Sequence, residues 1–134
     1  MVEKWLVPCN TKYFDIVNHF KNNEYAVWKN SFSINEGDIL YIYLSAPYSE
    51  IKYRCVVVSV DVDESTLKDH DYAIVKKKNY GYYSKKIKYM MFKKEYEFPS
   101  GLLSLATLRE YGQIQFQLQC RIDRRLRAFI EKNE

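Results

Sequence analysis

Two stretches decide the fold of this chain: GDILYIYL at residues 37–44 and IKYRCVVVSVDV at residues 51–62. Both are dense in β-branched and aromatic residues, which fit a pleated, half-buried surface, and Gly-Asp is a turn signal before the first run. The residues Ala-Pro-Tyr at 46–48 separate the two runs. The pattern predicts strands at 39–44 and 51–62 that pair as antiparallel neighbours.

The first of these strands should have two different faces. Side chains alternate across a strand, so Tyr41 and Tyr43 are predicted on one face, opposite Ile42 and Leu44. Only one of the two faces could then look into a ligand site.

Shorter patterns outside these strands predict the remaining elements. The first half of the chain should contain a strand at 4–8 and a helix that is capped by Asn10 or Thr11 and ends at Asn22 and Asn23. The second half should contain a strand at 89–98, a helix within LLSLATLREYG (102–112) capped by Gly112, a strand at 114–120 and a helix at 123–132. The strand at 114–120 is predicted to have Ile114, Phe116 and Leu118 on one face and four glutamines on the other, and the last helix is predicted to face inward with Leu126 and Ile130. The predicted class is α+β, with a largely antiparallel sheet or small barrel flanked by helices.

Length and composition indicate a single domain. The chain has 134 residues, 16% aromatic residues, four Gly and three Pro, so one compact domain over 1–134 is expected and low-complexity disorder is not. It contains neither a signal-peptide pattern nor an apolar run of membrane-spanning length, which predicts a soluble, cytoplasmic protein with no membrane partner. Cys9, Cys55 and Cys120 lie far apart, so buried free thiols are predicted rather than a disulfide framework or zinc site.

Charge is segregated along the chain, although its net value of +4 is modest. Between residues 76 and 94 there are eight lysines and no acid, interleaved with tyrosines, and four arginines cluster at 121–127. This pattern suggests contacts to nucleic-acid phosphates, and the simpler alternative is a solvated face. The predicted backbone contacts are Lys76, Lys77, Lys78, Lys85, Lys86, Lys88, Arg124 and Arg125.

Catalytic patterns are missing from the sequence. The four glycines are scattered, which excludes a phosphate-cradling loop, and the two histidines, His19 and His70, have no nucleophile or metal-ligand spacing. An acidic cluster at 61–71 lacks the spacing of a calcium loop and is interpreted as a solvated loop. We therefore expect no enzyme activity, no metal and no cofactor.

The two tryptophans have different surroundings. Trp5 lies in an apolar run, so core packing is expected. Trp28 precedes Lys29, Asn30 and Ser31, and this polar context leaves two roles open, a pocket wall or an ordinary half-buried aromatic.

The order of these motifs resembles the EVE domain of the PUA-like superfamily, which is related to YTH and ASCH domains. The resemblance covers nearly the whole chain and rests on WLVPCN at 5–10, Trp28, Ser31, GDILYIY at 37–43, Ser45, Pro47, IKYRCVV at 51–57, YMMF at 89–92 and LATLREYG at 105–112. It implies a small twisted β-barrel with flanking helices. The branch that it resembles occurs in bacterial stand-alone proteins and at the N-termini of modification-dependent restriction nucleases.

The resemblance also implies a function, the reading of a modified base flipped into an aromatic pocket. Carried over to this sequence, the pocket residues are Trp28, Ser31, Tyr43 and Ser45, with Tyr82 and Tyr83 offered for the second wall. DNA with a methylated or hydroxymethylated cytosine, or a methylated adenine, is the expected partner. An RNA-binding module remains an alternative, as does a protein-interaction subunit that works with a separately encoded nuclease or NTPase.

Overall fold

The computed structural model describes residues 2–30, 32–62 and 88–134 of the chain. These residues form six strands and three helices. In chain order they are β1 (Lys4–Cys9), α1 (Ile16–Asn22), β2 (Tyr25–Lys29), β3 (Ile39–Leu44), β4 (Glu50–Val62), β5 (Tyr89–Glu97), α2 (Leu105–Glu110), β6 (Cys120–Arg121) and α3 (Arg124–Asn133).

The strands make one mixed sheet in the order β2-β5-β4-β3-β1-β6. β1 and β3 are parallel, and every other neighbouring pair is antiparallel, including the predicted pair β3 and β4. Among the described residues β2 and β6 are the two ends of the sheet, which is therefore open. The predicted α+β class with a largely antiparallel sheet is confirmed, whereas the small β-barrel that the resemblance implies is not closed among the described residues.

The central strand β3 separates two hydrophobic cores. Leu40, Ile42 and Leu44 face the α1 core, which also contains Phe14 and Phe20. Both faces of β3 are covered, and this explains why all six of its residues are buried.

The opposite face of β3 belongs to the α3 core. Tyr41 and Tyr43 pack there with Leu126 and Ile130, the two residues predicted to face inward from the last helix. The predicted division of β3 into two faces is thus confirmed.

A buried carboxylate ties the start of β3 to β1. Asp38 accepts hydrogen bonds from the backbone N–H of Glu3 at 3.1 Å, from the indole Nε1 of Trp5 at 3.0 Å and from the backbone N–H of Asn35 at 2.9 Å. Trp5 is buried in the α1 core, as predicted.

Two predictions near the N-terminus need correction. The first helix begins at Ile16, because Asp15 and not Asn10 or Thr11 is its N-cap, with Oδ1 accepting from the N–H of Asn18 at 3.2 Å. Strand β2 was not predicted from the sequence pattern. Its five residues are too few to show a clear alternation, and their strand conformation depends on pairing with β5.

The helix predicted after Pro99 is shorter than its sequence pattern. It spans Leu105–Glu110, because Ser104 is the N-cap and its Oγ accepts from the N–H of Thr107 at 3.4 Å. Gly112 has a φ of +95° just beyond the helix, which supports its predicted role at the C-terminal end.

The strand predicted at 114–120 is wrong, since only Cys120–Arg121 forms a strand there. Ile114 is 92% exposed and Leu118 is 59% exposed, whereas Gln113 is buried. Gln113 can be buried because its amide is satisfied: Oε1 accepts from the N–H of Asp123 at 2.9 Å and Nε2 donates to the carbonyl of Gln115 at 3.0 Å. Segment 113–119 is therefore a loop that is stabilised by hydrogen bonds of its own buried glutamine side chain, Gln113.

The cysteines are free thiols, with Cys9 and Cys55 buried as predicted and Cys120 half-buried. Among the described residues, no helix combines the length and the apolar character that spanning a bilayer requires.

Stability should fall at alkaline pH, since several buried groups resist losing their protons. Burial, with a smaller contribution from Asp15, raises the pKa of the Cys9 thiol from 9.0 to about 12, and burial likewise raises the pKa of Cys55, Tyr41 and Tyr53. Above about pH 9 the unfolded chain loses protons that the folded chain keeps. The free energy of unfolding should then decrease by up to about 1.4 kcal/mol per pH unit for each group.

Urea unfolding at a series of pH values from neutral to alkaline checks this expectation. Tyr53→Phe keeps the ring and removes one of the titrating groups, so its stability should fall less steeply with pH. If the unfolding free energy of the variant and of the wild type fell equally with pH, Tyr53 would not contribute to the alkaline loss of stability.

Candidate functional site

Two adjoining hollows open beside the end of β1. The first has a volume of about 370 Å³ and the second about 330 Å³, both within the range of small-ligand sites. The first hollow is lined by Pro8, Trp28, Lys29, Phe32, Gln117, Leu118 and Gln119. The second hollow is lined by Pro8, Cys9, Asn10, Tyr43, Ser45, Phe116 and Gln117. Pro8 and Gln117 thus belong to both.

The indole of Trp28 is a preformed wall of the first hollow. Trp28 lies on β2 opposite Met90 of β5 and is half-buried against the α1 core. Its ring stacks on Phe14, with centroids 5.5 Å apart and an interplanar angle of 25°. Phe14 does not line the hollow, so the ring beneath the indole fixes its orientation without filling the space beside it.

Two exposed apolar side chains also line this hollow. Phe32 is 49% exposed and Leu118 59% exposed, and both line the first hollow. Phe32 is a second aromatic ring at this site that the sequence analysis did not consider.

A side-chain hydrogen bond joins the open edge of β2 to segment 113–119. On either side of β2, the N–H of Asn30 donates to the carbonyl of Lys88, and the carbonyl of Glu24 accepts from the N–H of Lys94. Because backbone groups alternate along a strand, those of Lys29 point to the open edge. There Nε2 of Gln119 donates to the carbonyl of Lys29 at 2.6 Å. A glutamine amide thus does in part what a backbone ladder would do in a closed barrel, and it forms one boundary of the first hollow.

Replacing Gln119 with leucine should loosen this boundary. The variant leaves the carbonyl of Lys29 without its amide donor, which should lower the free energy of unfolding by about 1–3 kcal/mol. Hydrogen exchange in residues 113–119 should become faster. Urea unfolding and exchange measured by mass spectrometry check both effects.

Gln117→Leu is the matched control, since Gln117 lies on the same segment with an exposed side chain. Its unfolding free energy should stay within about 0.5 kcal/mol of the wild type. Equal losses in the two variants would contradict a specific role for the Gln119 amide.

Two aromatic rings line the second hollow, and a cation lies over one of them. The rings of Tyr43 and Phe116 lie 5.2 Å apart, and the guanidinium of Arg109 lies over Phe116 at 5.9 Å from its centroid. Burial raises the pKa of Tyr43, although a hydrogen bond with Ser49 and the charge of Arg109 oppose this shift. The Tyr43 hydroxyl therefore stays protonated at neutral pH.

The structure separates the predicted pocket residues. Trp28 lines the first hollow, whereas Tyr43 and Ser45 line the second, so the predicted single pocket corresponds to two adjoining hollows. Ser31, Tyr82 and Tyr83 lie outside the described residues.

The predicted phosphate contacts are also divided. Lys76, Lys77, Lys78, Lys85 and Lys86 lie outside the described residues. Lys88 is exposed, and its carbonyl accepts from the N–H of Asn30, just beyond the β2 residues that line the first hollow. Arg124 and Arg125 begin α3 and line neither hollow.

Several lining residues were missed by sequence reasoning. They are Pro8, Cys9, Asn10, Lys29, Phe32, Phe116, Gln117, Leu118 and Gln119. The run of four glutamines at 113–119 was the available signal, but its alternation also fits a strand. Within the described part of the chain, no group of three or more His, Cys, Asp or Glu residues is arranged to hold a metal ion.

Comparison of the sequence with known proteins finds no matching family model and no matching curated protein. The fold does have solved relatives. The S128A mutant of the ASCH protein from Zymomonas mobilis superposes with a TM-score of 0.69 at 12% identity, over 98% of this chain and 96% of that one.

Two further structures are similar. A hypothetical protein from Leishmania major has a TM-score of 0.64 at 16% identity, over 99% of this chain and 94% of that one. A protein from Pseudomonas putida has a TM-score of 0.66 at 16% identity, over 96% and 97%. The likeness shows the fold alone: this chain has the α+β fold of the ASCH protein from Zymomonas mobilis, and the resemblance to the PUA-like superfamily and its EVE domains stays a prediction.

Proposed function

We propose that this protein is a non-catalytic nucleic-acid-binding module that holds one unstacked, modified base in the first hollow. The observation that carries the proposal is the half-buried indole of Trp28, which is stacked on Phe14 and borders a space of about 370 Å³. The α+β fold shared with the ASCH protein supports a role of this kind.

The free energy of base capture is most favourable for a base that already stacks poorly in its own strand. Extrusion of a base from a duplex costs a few kcal/mol, and stacking on an aromatic side chain returns about 1–3 kcal/mol. Because Phe14 already holds the indole in place, little further ordering of Trp28 is needed on binding. A second ring, Phe32 or a tyrosine of segment 80–83, would offset most of the remaining cost.

Selectivity for the modification should be moderate. Glutamine amides can pair with the edge of a base, and Gln117 lines the hollow with an exposed side chain. An added methyl group contributes only about 0.8 kcal/mol when it is buried. The preference from that contribution alone is at most about tenfold.

Phosphate contacts would come from lysines near the mouth. Lys29 lines the first hollow, and Lys88 is exposed beside Asn30 at the same end of β2. Such contacts position a strand without reading its sequence and weaken as salt is raised. The lysines predicted as phosphate contacts at 76–86 lie outside the described residues.

Fluorescence anisotropy with labelled oligonucleotides tests the proposal. DNA of one sequence, single- and double-stranded, would carry cytosine, 5-methylcytosine, 5-hydroxymethylcytosine, adenine or N6-methyladenine at one position, beside matched RNA. We expect salt-sensitive binding with a preference of up to about tenfold for one modified DNA base.

Other results distinguish the alternatives. Tighter binding of the RNA strands would favour an RNA-binding module. Absence of binding to every oligonucleotide at low salt would refute the proposed function. Co-purification of a nuclease or NTPase subunit would then favour a protein-interaction role.

A further inference from the structure

The second hollow adjoins the first. Pro8 and Gln117 lie between the two and line both, so a strand whose base enters the first hollow passes these two residues to reach the second. Its volume of about 330 Å³ is within the range that accommodates a small ring system. A captured base brings its neighbouring nucleotides with it, and one of them must lie close to this opening.

The side chains of the second hollow fit a nucleotide. Tyr43 and Phe116 give it an aromatic surface, and Ser45 adds a hydroxyl that accepts from the N–H of Thr11 at 3.2 Å. Its lining residues carry no acidic side chain that would repel a phosphate. Aromatic side chains accept the faces of all four bases, so such a site would be tolerant of sequence.

A cation lies next to this hollow, over the ring of one of its lining residues. Arg109 is exposed at the end of α2 and lies over the ring of Phe116. In the described part of the chain, none of the ion pairs involves Arg109. Its guanidinium can therefore pair with a phosphate without first breaking a salt bridge to another described residue.

We propose that the second hollow holds the nucleotide adjacent to the captured base, with that neighbour stacked in the Tyr43–Phe116 hollow and a phosphate paired with Arg109. The inference rests on the proposed function, since it places the neighbour of a base held by Trp28. The recognised unit is then a dinucleotide in which one position is read and the other is only held.

An abasic neighbour provides the first test, and it needs no protein variant. The probe is single-stranded DNA with one 5-methylcytosine and an abasic site on its 5′ side, on its 3′ side or several nucleotides away. One adjacent abasic site should weaken binding about fivefold or more, and the distant site should have no effect. Phe116→Leu should reduce that penalty, because the ring that the missing base would contact is then absent.

The salt dependence of binding provides the second test. Arg109→Gln should make the slope of log affinity against log salt concentration less steep, by the amount that about one phosphate contact contributes. Lys132→Gln, in the last turn of α3, is the matched control and should leave the slope unchanged.

The outcomes separate this inference from the proposed function. If neither adjacent abasic site weakens binding while Trp28→Ala still does, the second hollow is not a nucleotide site and the function stands. If no oligonucleotide binds the wild type, both proposals fail.

Discussion

Replacement of Trp28 by alanine is expected to weaken binding of the preferred modified oligonucleotide by about 5- to 150-fold, the equivalent of the 1–3 kcal/mol that base stacking on a ring contributes. The preference for the modified base should disappear at the same time. Salt-sensitive background binding should persist, because it depends on lysines that the substitution does not change. Anisotropy with paired modified and unmodified oligonucleotides measures both quantities.

Trp28→Phe is the matched control for this experiment. The indole packs against the α1 core and stacks on Phe14, so the alanine variant will also lose stability. Phenylalanine keeps an aromatic face and should retain most of the preference, and urea unfolding identifies any variant that is not folded. An unchanged preference in folded Trp28→Ala would exclude Trp28 from the pocket.

Replacement of Asp38 by alanine is expected to lower the free energy of unfolding by about 3–5 kcal/mol. The carboxylate is 2% exposed and accepts three hydrogen bonds, and its removal leaves the N–H groups of Glu3, Trp5 and Asn35 without their acceptor. The bond from Trp5 is buried and the other two are part-buried, and each buried group that loses its partner costs about 1–3 kcal/mol. The loss is a large part of the total stability of a domain of this size, and chemical denaturation measures it.

Two other variants calibrate the Asp38 result. Trp5→Phe keeps a ring in the core and removes only one donor, so it should cost less than Asp38→Ala. Glu50→Gln changes another buried carboxylate, which accepts from the N–H of Gly101 at 2.9 Å, and an amide oxygen can still accept that bond. A loss below about 1 kcal/mol for Asp38→Ala would contradict the role of this carboxylate.

The strongest strands could be predicted from sequence because their own composition specifies them. β3 and β4 contain runs of β-branched and aromatic residues, and the two faces of β3 contain the side chains that its alternation predicts. The short strand β2 could not be predicted, because it depends on β5, which lies far away in the sequence. Segment 113–119 was misassigned because a glutamine that satisfies buried backbone groups has the same pattern as a solvent-facing one.

The site was predictable only in part. Trp28 stood out because the three residues that follow it are polar, and it does line a hollow. Phe32 and Phe116 gave no comparable signal, because their place at the site depends on where their loops meet the end of β1. The separation of Trp28 from Tyr43 into two hollows likewise follows from the position of Pro8 and Gln117 between them.

The indole N–H resonances of the two tryptophans test the central claim most directly. Trp5 and Trp28 each give one such signal in a ¹H–¹⁵N spectrum, and Trp28→Phe assigns them. On titration with the modified oligonucleotide, we expect the Trp28 signal to shift and the Trp5 signal, buried and hydrogen-bonded to Asp38, to stay in place. Binding that is evident by anisotropy but leaves the Trp28 signal unmoved would contradict the account.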